Sequence, residues 1–271
     1  WPETFAGRTS EEKRPHIAAA LKADGIDAFV ISALDSLAWL FNIRGEDVEF
    51  SPLVLGYAVP GADGRATLCV DLAKVTDEVR KHLGPQVTVA AYDTIGEVIA
   101  ALPAAVKTIG LDRDSASRWL NDRVAAAGKT PKTVTDPITL IKARKQTAEL
   151  DGVRAAHVRD GAAVVRFLAW LAQEAPKGGL TEISAADKLA AFRAEGNHYR
   201  GPSFPTIAGA AGNGAIVHYR ATEDSNAASK APMVLLLDSG GQYLDGSTDI
   251  TRTLAIGTPT AEQKQRFTLV L

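Results

Sequence analysis

The first half of the chain alternates helical and strand-like patterns of apolar residues at short spacing. A helical pattern begins behind a capping box of Thr9 and Glu12, and Gly25 is placed to end it. Strand-like runs alternate with further helical patterns: DAFVIS, PLVLGYAV, ATLCVD, VTVAAY and KTIGLD. Short helices and strands in alternation predict a layered α/β domain, which we place at 1–139.

The pattern changes after the segment DPITLIKARKQ. A long helix is predicted from Thr147 to Ala175, ended by Pro176, and the segment TEISAADKLAAFRAEG predicts a second helix with Thr181 as its cap. Strand-like pieces follow: FPTIAG, AIVHYR, MVLLLDSGGQY and TDITRTLAI. The sequence therefore predicts a second domain at 140–271, with two helices against an antiparallel sheet.

Composition narrows the function classes. The chain has 271 residues, 46% of them hydrophobic and 23% charged, with a net charge of -2; these ordinary globular values give no indication of a nucleic-acid partner. No apolar run approaches the ~18 residues of a membrane span, and the first residues lack a signal-peptide layout, so no membrane partner is expected. The single cysteine, Cys69, lies in an apolar run and is predicted to fill the core, which suits a reducing cytoplasm.

The segment MVLLLDSGGQYLDGSTDITRT carries two carboxylates, Asp238 at the end of an apolar strand and Asp249 on the next strand. A hairpin centred between positions 243 and 244 would set them opposite each other. There two like charges repel, and a divalent cation would reverse the sign of that interaction. A hairpin centred on the Asp-Gly dipeptide at 245–246 would instead pair Asp249 with Gln242. From the residues alone, a metal site and ordinary turn aspartates both remain open.

Histidines form the second group of candidates. In GNGAIVHYR, alternation places His218 on one face of a predicted strand with Ile216 and Arg220, where it could face a cleft or pack as a core histidine. Solvated or packing roles are predicted for the other histidines: His16, His82, His157 and His198. No G-x-G-x-x-G opens a helix after a strand and no G-x-S-x-G is present, so neither a nucleotide fingerprint nor serine catalysis is indicated.

Three segments resemble the aminopeptidase P family of creatinase-like, pita-bread metallopeptidases: LLLDSGGQYLDGSTDITRT, SFPTIAGAAGNGAIVHY and PKGGLTEISAADKLAAFR. A fourth, ALDSLAWLFNIRGEDVEFSP, looks like the middle domain of the three-domain, cytosolic-type members. The resemblance covers nearly the whole chain. It implies a creatinase-N-like α/β domain followed by the first half of an α+β pita-bread catalytic domain, in a cytoplasmic protein.

The resemblance also implies roles for individual residues. Asp238 would bind one metal ion as a bidentate ligand, and Asp249 would bridge two ions. His218 would hydrogen-bond the substrate or the tetrahedral intermediate, an electrostatic role toward developing charge. Phe204 would line the substrate pocket, and Thr251 could orient a ligand carboxylate.

The implied reaction is removal of the N-terminal residue from peptides with proline in the second position. Two divalent ions would acidify a shared water that attacks the carbonyl carbon before proline. Mn²⁺ suits the oxygen-rich ligands best, with Zn²⁺ or Co²⁺ as alternatives. The expected partner is such a peptide, and homodimers are common in the family.

Of the family's metal ligands, only the two aspartates are present. By the resemblance, a histidine and two glutamates would follow Leu271 and a further domain would precede Trp1. We therefore expect the sequence to be part of a longer one, with a remainder on another chain or a truncated product as alternatives, and we expect the chain to be inactive alone. A prolidase or creatinase-type hydrolase is an alternative from the same fold, and a non-catalytic pita-bread binding module is one from another class. The segments ALDSLAWLFNIRGEDVEF and EISAADK favour aminopeptidase P over the other hydrolases, and the aspartates with His218 count against the module.

Overall fold

The computed structural model describes residues 1–271, which divide into two compact units, Trp1–Glu149 and Leu150–Leu271. Helices α1 to α10 are, in chain order, Glu3–Ala6, Ser10–Ala23, Leu34–Phe41, Asp77–Leu83, Ile95–Ala100, Arg118–Ala126, Pro137–Ala143, Thr147–Glu174, Glu182–Ala194 and Ala261–Val270. Strands β1 to β12 are Ala28–Val30, Gly56–Pro60, Ala66–Val70, Val87–Ala91, Thr108–Asp112, Thr130–Val134, Tyr199–Pro202, Ile207–Ala210, Met233–Ser239, Gly241–Tyr243, Gly246–Ser247 and Ile250–Ile256. None of the helices combines the length and apolar character needed to cross a lipid bilayer.

A mixed sheet forms the centre of the first unit. Strands β1, β5 and β6 pair in parallel, while β2 pairs antiparallel with β3 and β3 pairs in parallel with β4. Isolated bridges from Ala28 to Gly61 and from Ile31 to Ala58 join the two sets of strands. The α/β architecture predicted for the first half of the chain is confirmed.

Alternation along β1 explains why helices cover both faces of this sheet. Phe29 and Ile31 belong to a core cluster with residues of α2, α3 and α7, whereas Ala28 and Val30 belong to another with residues of α5 and α6. Successive strand residues point to opposite faces, so a strand that is apolar throughout needs cover on both sides. The run DAFVIS supplies such a strand.

The two units separate after Glu149, not after residue 139 as the sequence pattern indicated. The difference lies in α7. Ile138 is completely buried in the cluster that holds Leu37 of α3, and Ile141 packs against the same cluster. Burial of these side chains places α7 in the first unit, although its sequence runs on toward the long helix of the second.

Helices α8 and α9 cover one face of the antiparallel sheet β12-β9-β8 in the second unit. Leu235 and Leu237 of β9 are buried in a cluster with Phe167 of α8 and Leu189 of α9. The intervening positions of β9, Asp238 among them, are half-buried on the opposite face. The predicted arrangement of two helices against an antiparallel sheet is confirmed, and the second face of the sheet carries the candidate site.

Helix starts predicted from capping patterns are observed at both predicted positions. Thr9 Oγ1 accepts a hydrogen bond from Glu12 N, and Glu12 Oε2 accepts one from Thr9 N. The same reciprocal pair joins Thr181 and Ser184 at the start of α9. Helix α8, Thr147–Glu174, ends one residue before the predicted end.

Candidate metal site

The hairpin that carries both aspartates turns at residues 244–245. In this register Asp238 lies opposite Thr251 on the neighbouring strand, and continuation by two residues sets Asp249 opposite Gly240. Both registers that the sequence left open are therefore wrong. The aspartates are diagonal neighbours on the ladder, two residues out of direct opposition.

Diagonal placement still brings the two carboxyl groups together on one face of the sheet. Residues directly opposite share a face, and so do residues two apart on one strand, so Asp238, Thr251 and Asp249 point the same way. Partial burial, the charge of Asp238 and a hydrogen bond with the Asp238 carboxyl raise the pKa of Asp249. A raised pKa means that the second negative charge is disfavoured at this position, and a bound cation would favour it.

Thr251 fixes one of the two carboxylates. Its Oγ1 donates a hydrogen bond of 2.8 Å to Asp238 Oδ1 across the strand pair. Since Oδ1 is occupied by the hydroxyl, the rotation of the Asp238 carboxylate is restricted. The expected orienting role of Thr251 has this hydrogen bond as its physical basis.

The tip of the hairpin is held by α8 instead of by its own turn. Arg159 forms an ion pair with Asp245. A side chain at Gly152 would overlap the Asp245 carbonyl, so the backbone of α8 is in direct contact with the backbone of the turn. Packing against α8 thus sets the turn position and, through it, the register that places the aspartates.

A buried ionic network anchors the same hairpin. Asp160 and Arg193 are 0% and 2% exposed, and Arg193 donates to both oxygens of Asp160 at 2.6 and 3.0 Å. Tyr243 Oη, from β10, donates to Asp160 Oδ1 at 2.8 Å. Burial and the hydrogen bond to Asp160 raise the pKa of Tyr243, so this hydroxyl stays a donor.

Asp160→Asn should destabilise the second unit by about 3–5 kcal/mol, because it leaves the Arg193 charge buried without a counter-charge. Asp151→Asn is the matched control, since Asp151 pairs with Arg154 on the exposed side of the same helix and should cost under about 1 kcal/mol. The measurement is the free energy of unfolding of the second unit, taken from hydrogen exchange of its slowest amides. Equal costs for the two variants would contradict the anchoring role.

The prediction of a strand over AIVHYR is wrong. Residues Ala211–Ala215 form a 3-10 helix, and the chain then turns, with His218 exposed at a φ of 55°. The alternating pattern misled the prediction because Tyr219 is buried but does not belong to a strand. Its hydroxyl is bonded to Glu182 instead. No hydrogen bond or ion pair joins His218 to either aspartate.

The segment before His218 nevertheless lies on the face that carries the aspartates. A side chain at Gly214 would lie 3.3 Å from Leu236 Cβ, and one at Gly209 would meet Gly214 Cα at 2.7 Å. Leu236 is two residues from Asp238 on the same strand and shares its face. The turn bearing His218 therefore leaves the sheet on the side of the candidate site.

Phe204 lies half-buried in the bend between β7 and β8. The residue before it, Ser203, is tied to the aspartate hairpin, because Ser203 N donates to Gly240 O at 3.1 Å and Ser203 Oγ to Thr248 O at 2.9 Å. Thr248 directly precedes Asp249. These bonds place the bend that carries Phe204 against the end of the hairpin nearest Asp249.

One residue of note was missed by sequence reasoning. Glu182, the first residue of α9, is completely buried and accepts four hydrogen bonds from the segment that bears His218. In the sequence Glu182 looks like an ordinary acidic residue in the first turn of a helix. Its partners are remote in sequence, so only the fold reveals them.

No group of three or more histidine, cysteine or carboxylate side chains with metal-binding geometry comes together in the structure.

Comparison with known proteins matches both units to described families. Residues 1–149 match the creatinase/prolidase N-terminal domain, and residues 151–271 match metallopeptidase family M24. A probable Xaa-Pro aminopeptidase P of Laccaria bicolor is 41% identical over 98% of this chain, and one of Coccidioides posadasii is 42% identical over 100%. The chain spans 42% and 45% of those relatives' own lengths.

Solved structures give the same picture of the fold. An X-prolyl aminopeptidase from Caenorhabditis elegans, described as a cytosolic enzyme with a di-nuclear active site, superposes with a TM-score of 0.88 at 31% identity, over 96% of this chain and 43% of that one. A prolidase from Pyrococcus horikoshii superposes with a TM-score of 0.74 at 24% identity, over 96% of this chain and 69% of that one. The predicted succession of a creatinase-N-like domain and a pita-bread half is confirmed.

Proposed function

Because this chain belongs to the creatinase-like M24 metallopeptidases, we propose that the intact protein is a metal-dependent aminopeptidase that removes the N-terminal residue before proline. One observation carries the proposal. Asp238 and Asp249 converge on the open face of the second-unit sheet, in a chain that is similar over its whole length to Xaa-Pro aminopeptidases P.

The donor set suits divalent cations. Carboxylate oxygens are hard ligands that favour ions such as Mn²⁺. The charge of Asp238 raises the pKa of Asp249, and a bound cation would oppose that effect. Asp238 would hold one ion and Asp249 would bridge a pair, with Thr251 restricting the Asp238 carboxylate. Two bound ions would supply an activated water and polarise the scissile carbonyl. Mn²⁺ is our choice of metal, with Zn²⁺ or Co²⁺ as alternatives.

The remaining roles belong to residues around this pair. His218, exposed on a turn on the same side of the sheet, would donate a hydrogen bond to the carbonyl oxygen as negative charge develops there. Phe204 would contribute an apolar wall beside the Asp249 end of the hairpin. The substrate we infer is a peptide whose second residue is proline.

The test is an assay of the intact, Mn²⁺-loaded protein on an Xaa-Pro-Xaa tripeptide, an Xaa-Ala-Xaa tripeptide and an Xaa-Pro dipeptide. The expected result is release of the first residue from the proline tripeptide, with little turnover of the alanine one. Faster turnover of the dipeptide would favour a prolidase. No hydrolysis with full metal content would favour a binding module.

We also infer a cytoplasmic location, following the cytosolic description of the Caenorhabditis elegans enzyme; recovery of the protein in a membrane or secreted fraction would contradict it. A homodimer stays a prediction, and sedimentation of the intact protein tests it.

A further inference from the structure

Glu182 is a completely buried carboxylate without a cationic partner. Oε1 accepts hydrogen bonds from Ala210 N at 2.7 Å and Asn213 Nδ2 at 3.0 Å. Oε2 accepts them from Tyr219 Oη at 2.8 Å and Ala227 N at 2.9 Å. Burial opposes the charged form, but the four hydrogen bonds, from Ala210, Ala227, Asn213 and Tyr219, together outweigh it and lower the pKa of Glu182. The carboxylate is therefore charged and saturated by donors.

All four donors belong to one segment, residues 210–227, which leaves the sheet after β8 and carries His218. Within this segment the backbone hydrogen bonds are local, such as Tyr219 N to Ile216 O and Ser225 N to Thr222 O. After Ala210, which ends β8, no strand pairing holds the segment. The Glu182 carboxylate attaches it at its first residue, in its middle and at its last residue, and at its end Asn226 Oδ1 and Ala227 O also accept bonds from Ile183 N and Glu182 N.

Tyr219 is the donor closest to the candidate catalytic residue. It is 8% exposed, and its hydroxyl also receives a hydrogen bond from Asn213 at 2.9 Å. His218, directly before it, is exposed and has a φ of 55°, a left-handed conformation that a residue other than glycine adopts only when its surroundings impose it. The anchored neighbour contributes to that constraint, because the hydrogen bond to Glu182 fixes Tyr219, the next residue along the backbone.

We propose that Glu182 is a positioning residue that, through Tyr219 and Asn213, sets the turn presenting His218 on the side of the sheet that carries the aspartates. The inference rests on the role proposed for His218. It concerns placement of the His218 imidazole and not binding of metal, so its effect on turnover can be measured separately from metal content. Loss of the hydrogen bonds to Glu182 should slow turnover, while Asp238 and Asp249 should keep their metal ions.

Tyr219→Phe is the mildest test, because it deletes one hydroxyl and keeps the buried ring. In the intact, metal-loaded enzyme we expect kcat for an Xaa-Pro peptide to fall by about ten- to a hundredfold, the scale of a misplaced catalytic group. KM and metal content should change by less than about twofold, because the aspartates are untouched. Tyr92→Phe, the same deletion in the first unit, is the control and should leave kcat unchanged.

A double-mutant cycle distinguishes positioning from general damage. In the His218→Ala background, Tyr219→Phe should cost less than about twofold in kcat, because the group it positions is gone. An equal loss in both backgrounds, or no loss in the wild-type background, would overturn the inference while leaving the proposed function intact. Full activity of His218→Ala alone would instead contradict the role of His218, and the inference would fall with it.

Glu182→Gln provides a second variant with a readout that does not depend on activity. Amide hydrogen exchange over 210–227 should become faster in Glu182→Gln and Tyr219→Phe, with exchange in β9 and β12 unchanged. Glu182→Asp should also give faster exchange over 210–227, because the shorter side chain cannot reach all four donors. Unchanged exchange in this segment would show that Glu182 does not hold it.

Discussion

Asp249→Asn should remove most Xaa-Pro hydrolysis from the intact protein, on the order of 10³-fold, and lower its metal content. A ligand that serves two ions affects both, and bound metal contributes several kcal/mol of transition-state stabilisation. An amide keeps the shape of the side chain but not its charge. The measurements are kcat/KM on a proline tripeptide and elemental analysis of the purified variant.

The metal-free protein provides a further check on Asp249→Asn. There the variant should be as stable as the wild type or more stable by about 0.2–1 kcal/mol, because it removes one of two like charges in contact. Asp187→Asn, an exposed aspartate on α9, is the control and should change neither activity nor metal content. Undiminished turnover of Asp249→Asn with full metal loading would count decisively against the assignment.

His218→Ala should slow turnover by roughly 10²–10³ while the metal stays bound, the scale of one lost hydrogen-bond donor to developing charge. The structure supports a separation of roles, because His218 makes no hydrogen bond with either aspartate. The loss should appear in kcat and kcat/KM together, since the donor acts in the transition state.

His157→Ala is the matched control for this variant. His157 is exposed on α8, where its Nδ1 contacts Val153 O, and its loss should leave kcat unchanged. Loss of metal from His218→Ala would show that the histidine is a ligand. Unchanged turnover would show that the turn after the Ala211–Ala215 helix presents nothing to the substrate.

Local signals in the sequence predicted local structure well. Capping at Thr9 and Thr181 depends on side chains that bond to backbone three residues away, so the sequence alone contains both partners. Strand β6 gave no such signal: it contains Pro131 and Lys132, and as the exposed edge of its sheet it lacks apolar alternation.

The hairpin register could not be predicted because its determinant is tertiary. The Asp-Gly dipeptide at 245–246 is a strong turn signal, yet the ion pair of Arg159 with Asp245 and the close approach at Gly152 hold the turn one residue earlier. A turn shifted by one residue moves every cross-strand partner by two. The aspartates stayed on one face because that shift is even.

The turn that bears His218 could not be predicted either, because its determinant is also remote in the sequence. AIVHYR has the alternation of a strand, but Tyr219 is buried through Glu182, which lies 37 residues earlier in the chain. Sequence periodicity records that a residue is buried and not what buries it. The family resemblance pointed to His218 without the strand, while Glu182 emerged only from the fold.

The central claim, that Asp238 and Asp249 are the metal ligands of this half of the site, is tested most directly by anomalous diffraction from crystals of the intact protein grown with Mn²⁺. The proposed function predicts two anomalous peaks on the open face of the β12-β9-β8 sheet, one bound by Asp238 and both bound by Asp249. Peaks at other residues, with both aspartates free of metal in a fully active enzyme, would contradict it.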